Sequence, residues 1–206
     1  HEFGTNPCSE IILRPYQFCN LTEVVIRAED TEETLAEKVR LATILGTFQA
    51  TMTYFPYLRK IWQKNTEEER LLGVSFTGIY DCPLMNDYND PELPARLERL
   101  RQVAIDTNKE WSEKLGINQS VAITCVKPSG TVSQLVLSPS GIHPGHDRYY
   151  IRRVRSDNKD PLTKHLIDAG VPFEPDATKP HSTTVFSFPM SLPDTSITRE
   201  NVNAID

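Results

Sequence analysis

The sequence predicts an α/β fold, because short apolar segments alternate with long amphipathic ones. Strand-like runs of apolar and β-branched residues occur in the first two thirds of the chain, at 11–13, 21–26, 71–76 and 121–125. Two long segments with helix signals, 30–54 and 91–115, separate these runs. Strands that alternate with long helices typically pair in parallel under a layer of helices. We therefore expect parallel strand pairs covered by helices.

The first long helix is indicated by a start signal followed by a helical period. A capping residue at Asp30 or Thr31 precedes two glutamates. Apolar residues then recur three and four positions apart, at Leu35, Val39, Ala42, Leu45, Phe48 and Met52. We predict that this helix runs to about Tyr54, that Pro56 ends it, and that a short helix follows over 57–64.

The rest of the chain continues the alternation. Pro91 and Glu92 open the second long helix, and Gly116 stops it. Further on, a stretch rich in Ser, Pro and Gly precedes a strand-like, a helix-like and a second strand-like segment, at 149–154, 161–169 and 183–188. No internal repeat, low-complexity tract or clear linker interrupts the chain, so we predict a single domain over 1–206.

Composition narrows the function classes. The 206 residues are 38% hydrophobic and 24% charged, as in an ordinary globular domain. The net charge of -6 and the lack of a basic block beyond 152–155 argue against a broad nucleic-acid surface, while small anions can still bind at local basic groups. No apolar run is long enough to span a bilayer, and the first residues do not resemble a signal peptide. We expect no membrane contact and a cytoplasmic location.

The four cysteines do not form a metal or disulfide framework in the sequence. Cys8, Cys19, Cys82 and Cys125 contain no C-x-x-C pair, so the spacing of a zinc ribbon is absent and no metal site is predicted. They are also too sparse for a disulfide scaffold. We expect reduced thiols, apart from any pair that cycles in catalysis.

The segment Asn6-Pro7-Cys8-Ser9-Glu10 is the first candidate site. If it is extended, alternation places Asn6, Cys8 and Glu10 on one face, where an amide, a thiol and a carboxylate would meet one ligand. The alternative is a surface turn beside a cysteine that serves only as a small apolar residue. The pattern by itself leaves both interpretations open.

The second candidate site follows the strand at 121–125. Lys127 is followed there by Pro128, Ser129, Gly130, Thr131, Val132 and Ser133. Hydroxyl groups and a glycine after a strand suit an anion site, because glycine lets backbone N–H groups approach phosphate oxygens. The order of a Walker loop is missing, and a plain turn is an equal alternative.

Taken together, four motifs resemble one enzyme family. They are GTNPCSEIIL, CNLTEVV, VKPSGTVSQLV and GIHPGHDRYYIRRVR. The chain resembles the catalytic subunit of ribonucleotide reductases from Gly4 to its end, and most closely the monomeric adenosylcobalamin-dependent (class II) ribonucleoside-triphosphate reductases. The resemblance implies the C-terminal half of a ten-stranded α/β barrel of the ribonucleotide reductase and glycyl radical enzyme type, with a central finger loop.

The resemblance also implies roles for single residues. Cys8 occupies the position of the cysteine that becomes a thiyl radical and abstracts the ribose 3′-hydrogen. Glu10 matches the base that takes the 3′-hydroxyl proton, and Asn6 matches the amide that holds the sugar hydroxyls. Cys19 matches one of two reducing cysteines, whose partner lies upstream in the family. Residues 128–133 match the loop that binds the substrate phosphates.

Several further expectations follow from the same resemblance. The substrate would be a ribonucleoside triphosphate, the cofactor adenosylcobalamin, and the reductant thioredoxin or a similar dithiol protein, with dNTP or ATP effectors acting through regions outside this chain. The chain lacks the specificity loop, the upstream cysteine and the C-terminal cysteine pair of the family, so we expect a fragment that does not turn over alone. Independently of the resemblance, we expect Cys82 to be a small buried residue near a turn and Cys125 to be a strand-core residue. We expect Arg152, Arg153 and Arg155 to lie on a solvated strand edge.

Two alternatives remain at this stage. One is a reductase whose radical comes from a separate subunit or another activator. The other is a non-catalytic module that binds nucleotides through residues 128–133.

Overall fold

The computed structural model describes residues 2–203. Its internal contacts group into two compact units, which are residues 2–145 with 195–203, and residues 146–194. Each unit is described by itself below. No helix in the described range is long and apolar enough to cross a membrane.

A parallel strand pair forms the centre of the first unit. β3 (Asn20–Val25) pairs in parallel with β4 (Leu72–Thr77), as the alternation of strands and helices predicted. Two further strands, β1 (Gly4–Thr5) and β2 (Ile12–Leu13), form an antiparallel hairpin. The predicted strand at 121–125 is less regular. It runs beside β4 and makes a single isolated parallel bridge, Val74 with Thr124, before the chain turns at Pro128.

The first long helix is present but shorter than predicted. α1 (Glu32–Gln49) begins at Thr31, whose hydroxyl accepts a hydrogen bond from the Thr34 N–H, while the Thr34 hydroxyl accepts one from the Thr31 N–H. The helix stops before the predicted end at 54. The Thr51 hydroxyl donates to the Phe48 carbonyl at 2.7 Å. This local bond competes with continuation of the helical ladder.

The other two predicted helices of this unit are present with shifted bounds. The second helix, α2 (Lys60–Glu69), begins three residues later and ends five residues later than predicted. The long helix α4 (Leu93–Leu115) begins two residues later than predicted and stops at Gly116 as predicted. Gly116 has φ 66°, a left-handed conformation that glycine adopts without strain. The sequence did not predict three short elements: a 3-10 helix, α3 and α5, at Ile79–Asp81, Pro83–Asn86 and Thr131–Leu135.

The core lies between α1, α4 and one face of the β3–β4 sheet. Its buried residues come from all of these elements: Val24, Ile26, Leu35, Val39, Ala42, Val74, Cys82, Met85, Leu100 and Ala104. A Cβ atom on Gly46 of α1 would lie 3.5 Å from the side chains of Leu72 and Thr22, so the helix packs closely on this face. Cys82 is fully buried, which confirms its prediction as a core residue.

The second unit is an antiparallel sheet with one helix. β5 (Tyr149–Asp157) and β6 (Phe173–Pro175) flank β7 (Thr183–Ser191), and α6 (Pro161–Asp168) begins at Asp160. Parallel pairing, predicted for the chain as a whole, is therefore wrong for these strands. On β5, Arg153 pairs with Glu174 and Arg155 with Asp176, which fits the expected solvated strand.

The observed architecture supports an α/β fold. The ten-stranded barrel stays a prediction, because the first unit contains one parallel pair and an adjoining extended segment within the described residues. The interpretation of the chain as the C-terminal half of one barrel domain also stays a prediction.

Candidate active site

The segment that carries Cys8 is a hairpin turn rather than an extended strand. The Asn6 N–H donates to the Ile11 carbonyl at 3.2 Å, and the Ile11 N–H donates to the Asn6 side-chain oxygen at 3.1 Å. Ser9 has φ 64°, which is left-handed. The expectation of an extended segment is wrong, because Pro7 has no N–H for a ladder and the Asn6 amide bonds the backbone across the turn instead.

The turn separates the three side chains that alternation would have placed together. The Asn6 side-chain oxygen is used within the turn, Cys8 is exposed at its tip, and the Glu10 side chain is only 1% exposed. A residue from another part of the chain joins two of them. The Lys127 Nζ lies 3.3 Å from the Glu10 Oε1 and 3.8 Å from the Cys8 Sγ. Thiol and carboxylate thus meet at one ammonium group.

Glu10 is a buried carboxylate with one ion pair and no well-formed hydrogen bond from the described residues. Burial raises the pKa of Glu10, but its own backbone N–H, the Asn6 amide and the Lys127 ammonium outweigh burial and hold the pKa below its ordinary value. Glu10 is therefore ionised at neutral pH in the free protein.

The hairpin rests on the face of the sheet that α1 does not cover. A Cβ atom at Gly73 of β4 would lie 2.5 Å from Leu21 Cδ2, 2.9 Å from Cys125 Sγ and 3.1 Å from Ile11 Cδ1. Only glycine allows this approach, and Ile11 is buried there. Gly73 thus lets the residue next to Glu10 pack directly on the sheet.

Two further thiols lie within electrostatic reach of Glu10. Cys19, half-buried just before β3, has a pKa raised by burial and by the negative charge of Glu10. Burial raises the pKa of Cys125 to about 11, with Glu10 and Cys19 adding to the effect and Lys127 opposing it. Both side chains are therefore thiols at neutral pH. All four cysteines are free.

The position of Cys125 differs from its prediction. It was expected to be a strand-core residue, but it is only half-buried and faces Glu10 and Cys19. The sequence offered one usable signal, the placement of Cys125 two residues before Lys127 on a segment predicted as a strand. In the sequence, Lys127 is marked only by its place before the candidate anion loop.

The segment 128–133 uses most of its hydroxyl groups internally. The Ser129 Oγ accepts from the Ser133 N–H at 3.0 Å, and the Ser133 hydroxyl donates to the Ser129 carbonyl at 2.9 Å. Both residues are buried. The exposed residues of the segment are Pro128, Gly130, Thr131 and Val132. Ser129 and Ser133 therefore shape the loop, and the other residues are accessible to a ligand.

A close backbone contact with Gly141 fixes the position of the loop that carries Lys127. Gly141 has φ 53°, and a Cβ atom there would lie 2.7 Å from the Lys127 carbonyl oxygen. The Gly141 N–H donates to the Thr77 hydroxyl at 2.9 Å, and that hydroxyl donates to the Pro139 carbonyl at 2.9 Å. The loop that carries Lys127 is therefore tied to the end of β4.

Comparison with known proteins gives one consistent result. No family model matches the chain. Curated proteins from Lactobacillus gasseri, Lactobacillus leichmannii and Euglena gracilis, each named adenosylcobalamin-dependent ribonucleoside-triphosphate reductase, are 33%, 31% and 32% identical over 91% of this chain. The chain spans only 28%, 28% and 25% of their lengths.

A solved structure agrees with these relatives. A B12-dependent (class II) ribonucleotide reductase is 27% identical, with a TM-score of 0.75 over 95% of this chain and 30% of that protein. The agreement covers both the sequence and the arrangement of helices and strands. The chain is therefore homologous to one segment of the adenosylcobalamin-dependent ribonucleoside-triphosphate reductases.

Proposed function

We propose that the protein containing this chain reduces ribonucleoside triphosphates to 2′-deoxyribonucleoside triphosphates, with Cys8 as the site of a thiyl radical. One observation carries the proposal. In a segment homologous to such reductases, an exposed thiol and a buried, ionised carboxylate meet at the Lys127 ammonium group. The substrate class and the cofactor are those in the names of the relatives.

The proposed chemistry begins with Cys8. A thiyl radical at Cys8 takes the 3′-hydrogen of the ribose as an atom, so the C–H bond breaks and an S–H bond forms. A thiolate does not perform this step, because it would remove a proton rather than a hydrogen atom. The exposure of Cys8 at the tip of the turn fits a residue that must meet both a radical source and a sugar.

Glu10 and Asn6 would act on the sugar hydroxyl groups. Glu10 is ionised and has oxygens without well-formed hydrogen bonds, so it can accept the 3′-hydroxyl proton as the 2′-hydroxyl leaves as water. Asn6 has its side-chain oxygen bonded to the Ile11 N–H, and its NH₂ group lies beside the Glu10 carboxylate, where it would meet the same sugar hydroxyl groups. We assign Asn6 a role in orientation on that basis.

Cys19 would supply reducing equivalents. Replacing the C2′–OH by C2′–H requires two electrons, which two thiols provide as they become a disulfide. Cys19 is one of these thiols in our proposal, and the second comes from outside this chain. Thioredoxin or a similar dithiol protein would reduce the disulfide, and dNTP or ATP effectors would act through regions outside this chain.

The accessible part of the segment 128–133 would contact the substrate phosphates. Gly130 and Thr131 are exposed, while Ser129 and Ser133 fix the shape of the loop. Pro128 and Val132 flank them on the same surface. We propose that the exposed backbone and the Thr131 hydroxyl approach the phosphate oxygens.

Adenosylcobalamin fits the site in one respect. Cys8 is exposed, so a group that generates a radical can reach its sulfur from outside the turn. When bound, the cofactor would supply the radical that takes the hydrogen atom from Cys8. No group of three His, Cys, Asp or Glu side chains in the described range is arranged to hold a metal ion. We place the activity in the cytoplasm.

The decisive experiment measures deoxynucleotide formation by the protein containing this chain. It receives ribonucleoside triphosphates and a dithiol under anaerobic conditions, with and without adenosylcobalamin. We expect product only with the cofactor, and none from the Cys8→Ser variant, which should still bind the nucleotide. Product from Cys8→Ser would contradict the radical assignment.

The same assay separates the two alternatives. Product that requires an added radical-generating subunit, and not the cobalamin, would identify a partner-activated reductase. Nucleotide binding without product under any condition would identify a non-catalytic module. Cys19→Ser should form the radical but fail at reduction, and normal multiple turnover by this variant would remove Cys19 from the mechanism.

A further inference from the structure

Lys127 links the hairpin turn to the loop that follows it. Its Nζ lies 3.3 Å from the Glu10 Oε1, 3.8 Å from the Cys8 Sγ and 3.4 Å from the Pro128 carbonyl oxygen. Its side chain is 23% exposed, whereas that of Glu10 is 1% exposed. The cation is therefore partly hydrated, and the anion is not.

Lys127 stabilises ionised Glu10 together with the Glu10 backbone N–H and the Asn6 amide. A buried carboxylate is costly unless it is paired and hydrogen-bonded, and neither oxygen of Glu10 has a well-formed hydrogen bond from the described residues. The titratable groups that face it are Cys8 on its own turn, Cys19 before β3, Cys125 beside β4, and Lys127. Lys127 is the cation of this group, so its charge favours the ionised form of Glu10.

We propose that Lys127 is a positioning residue for the base: its ammonium group favours the ionised form of Glu10 and directs it towards Cys8, so that thiol and carboxylate are presented together. This inference rests on the proposed function in naming Glu10 as the base. The ion pair itself is a property of the protein without substrate. The two parts are tested separately.

The first test measures the protonation state of Glu10 by infrared difference spectroscopy, which needs no activity. In a pH titration, the band of the protonated Glu10 carboxyl group should persist to higher pH in Lys127→Met than in the wild type. We expect the midpoint of its titration to rise by about one pH unit, a tenfold change in proton affinity. The band should be absent in Lys127→Met/Glu10→Gln, and it should titrate as in the wild type in Lys127→Arg, which keeps the charge. An unchanged midpoint in Lys127→Met would overturn the proposal.

An exposed ion pair provides a matched control. On α6, the Lys164 Nζ lies 2.5 Å from the Asp168 Oδ2, with side chains that are 77% and 59% exposed. Lys164→Met should leave the titration of the carboxyl bands almost unchanged, because water replaces the lost partner of Asp168. An equal change of midpoint in this control would show that burial of Glu10 is not the cause, and would overturn the proposal.

The second test separates positioning from phosphate binding. Lys127→Met should lower kcat by about 10- to 100-fold, less than the full contribution of a general base because Glu10 itself remains, and change KM for the ribonucleoside triphosphate little. The acidic limb of the pH profile should move to higher pH, and Lys127→Arg should recover most of kcat. A raised KM with kcat unchanged would instead make Lys127 a phosphate ligand and overturn the proposal.

Folding and function failures remain distinguishable. If Lys127→Met unfolds at a lower urea concentration than the wild type, Lys127→Met/Glu10→Gln should recover most of that difference in the midpoint of unfolding, because the unpaired buried charge is gone. An equal loss in the double variant would overturn the proposal. If the protein makes no deoxynucleotide but the midpoint of the infrared band rises as expected, the proposed function fails while the ion pair is supported.

Discussion

The start of α1 and the hairpin turn each bury a carboxylate beside a lysine, but they satisfy it differently. Asp30 accepts from the Lys38 Nζ at 2.5 Å, from the Arg27 N–H at 2.7 Å and from the Thr34 hydroxyl at 2.8 Å. Glu10 has one ion pair and no well-formed hydrogen bond within the described residues. A carboxylate whose oxygens are all hydrogen-bonded stabilises the fold, whereas one with free hydrogen-bonding capacity can accept a proton or bind a ligand.

Both carboxylates have a lowered pKa, so the difference lies in the partners and not in the charge state. Burial raises the pKa of Asp30, and Lys38, the Arg27 backbone and Thr34 together outweigh it. The Asp30 partners belong to the fold at the end of β3 and the start of α1. The Glu10 partner comes from a loop far along the chain. The comparison therefore separates a structural site from the site that we propose to be functional.

The largest expected effect on stability is at Asp30. Asp30→Ala removes the partner of the Arg27 N–H, the Thr34 hydroxyl and Lys38, which leaves polar groups unpaired at a buried position. We expect a loss of about 3 kcal/mol in the free energy of unfolding. Urea denaturation measures this loss. A cost below that of an ordinary surface change would contradict the structural role of Asp30.

A smaller effect is expected at Gly73, below the hairpin. Gly73→Ala places a Cβ atom within 3.1 Å of three side chains, so Ile11 and the turn must shift. We expect a loss of about 1 to 3 kcal/mol. Activity should also fall, because the turn carries Cys8 and Glu10. Gly116→Ala is the control with open space around it, although its φ of 66° adds some strain. Equal activity in both variants would argue against the packing role of Gly73.

The pH dependence of stability provides a third test. The folded-state pKa of Asp30 is lowered, so its contribution is present above the unfolded-state pKa of about 4 and is lost as the pH falls through the folded-state pKa. Asp30→Asn should be less stable than the wild type at neutral pH, and the difference should shrink in acid. Unfolding curves at several pH values measure it. A difference independent of pH would show that the carboxylate charge does not contribute.

The smallest effect is expected at Cys125. Its thiol is half-buried and its pKa is raised to about 11, so it is not a thiolate at neutral pH. Cys125→Ser should change stability by less than about 1 kcal/mol and leave deoxynucleotide formation near the wild-type rate. Cys19→Ser serves as the contrast, since it should stop multiple turnover. Loss of turnover in Cys125→Ser would make this thiol part of the redox chemistry.

The two units also show which structural features local sequence patterns can predict. The apolar period and the caps predicted α1 and α4, because those signals reflect contacts within a few residues. The antiparallel sheet of β5, β6 and β7 was not predicted as such, since strand direction depends on distant pairing. Likewise, the prediction of an extended segment failed at Asn6, because the hydrogen bond between its side chain and the Ile11 N–H competes with pairing of the backbone in a strand.

The sequence by itself determined the α/β class, the long helices, the β3 and β4 strands, and the identity of Cys8, Glu10 and Cys19 as candidate site residues. Tertiary structure alone decided that Glu10 is buried, that Gly73 supports the turn, and that Lys127 joins Cys8 from 119 positions away. The physical reason is the separation along the chain over which each interaction acts. Helix and strand periods record the side of one element that is buried, whereas an ion pair across the fold depends on how separate loops are tied to the sheet.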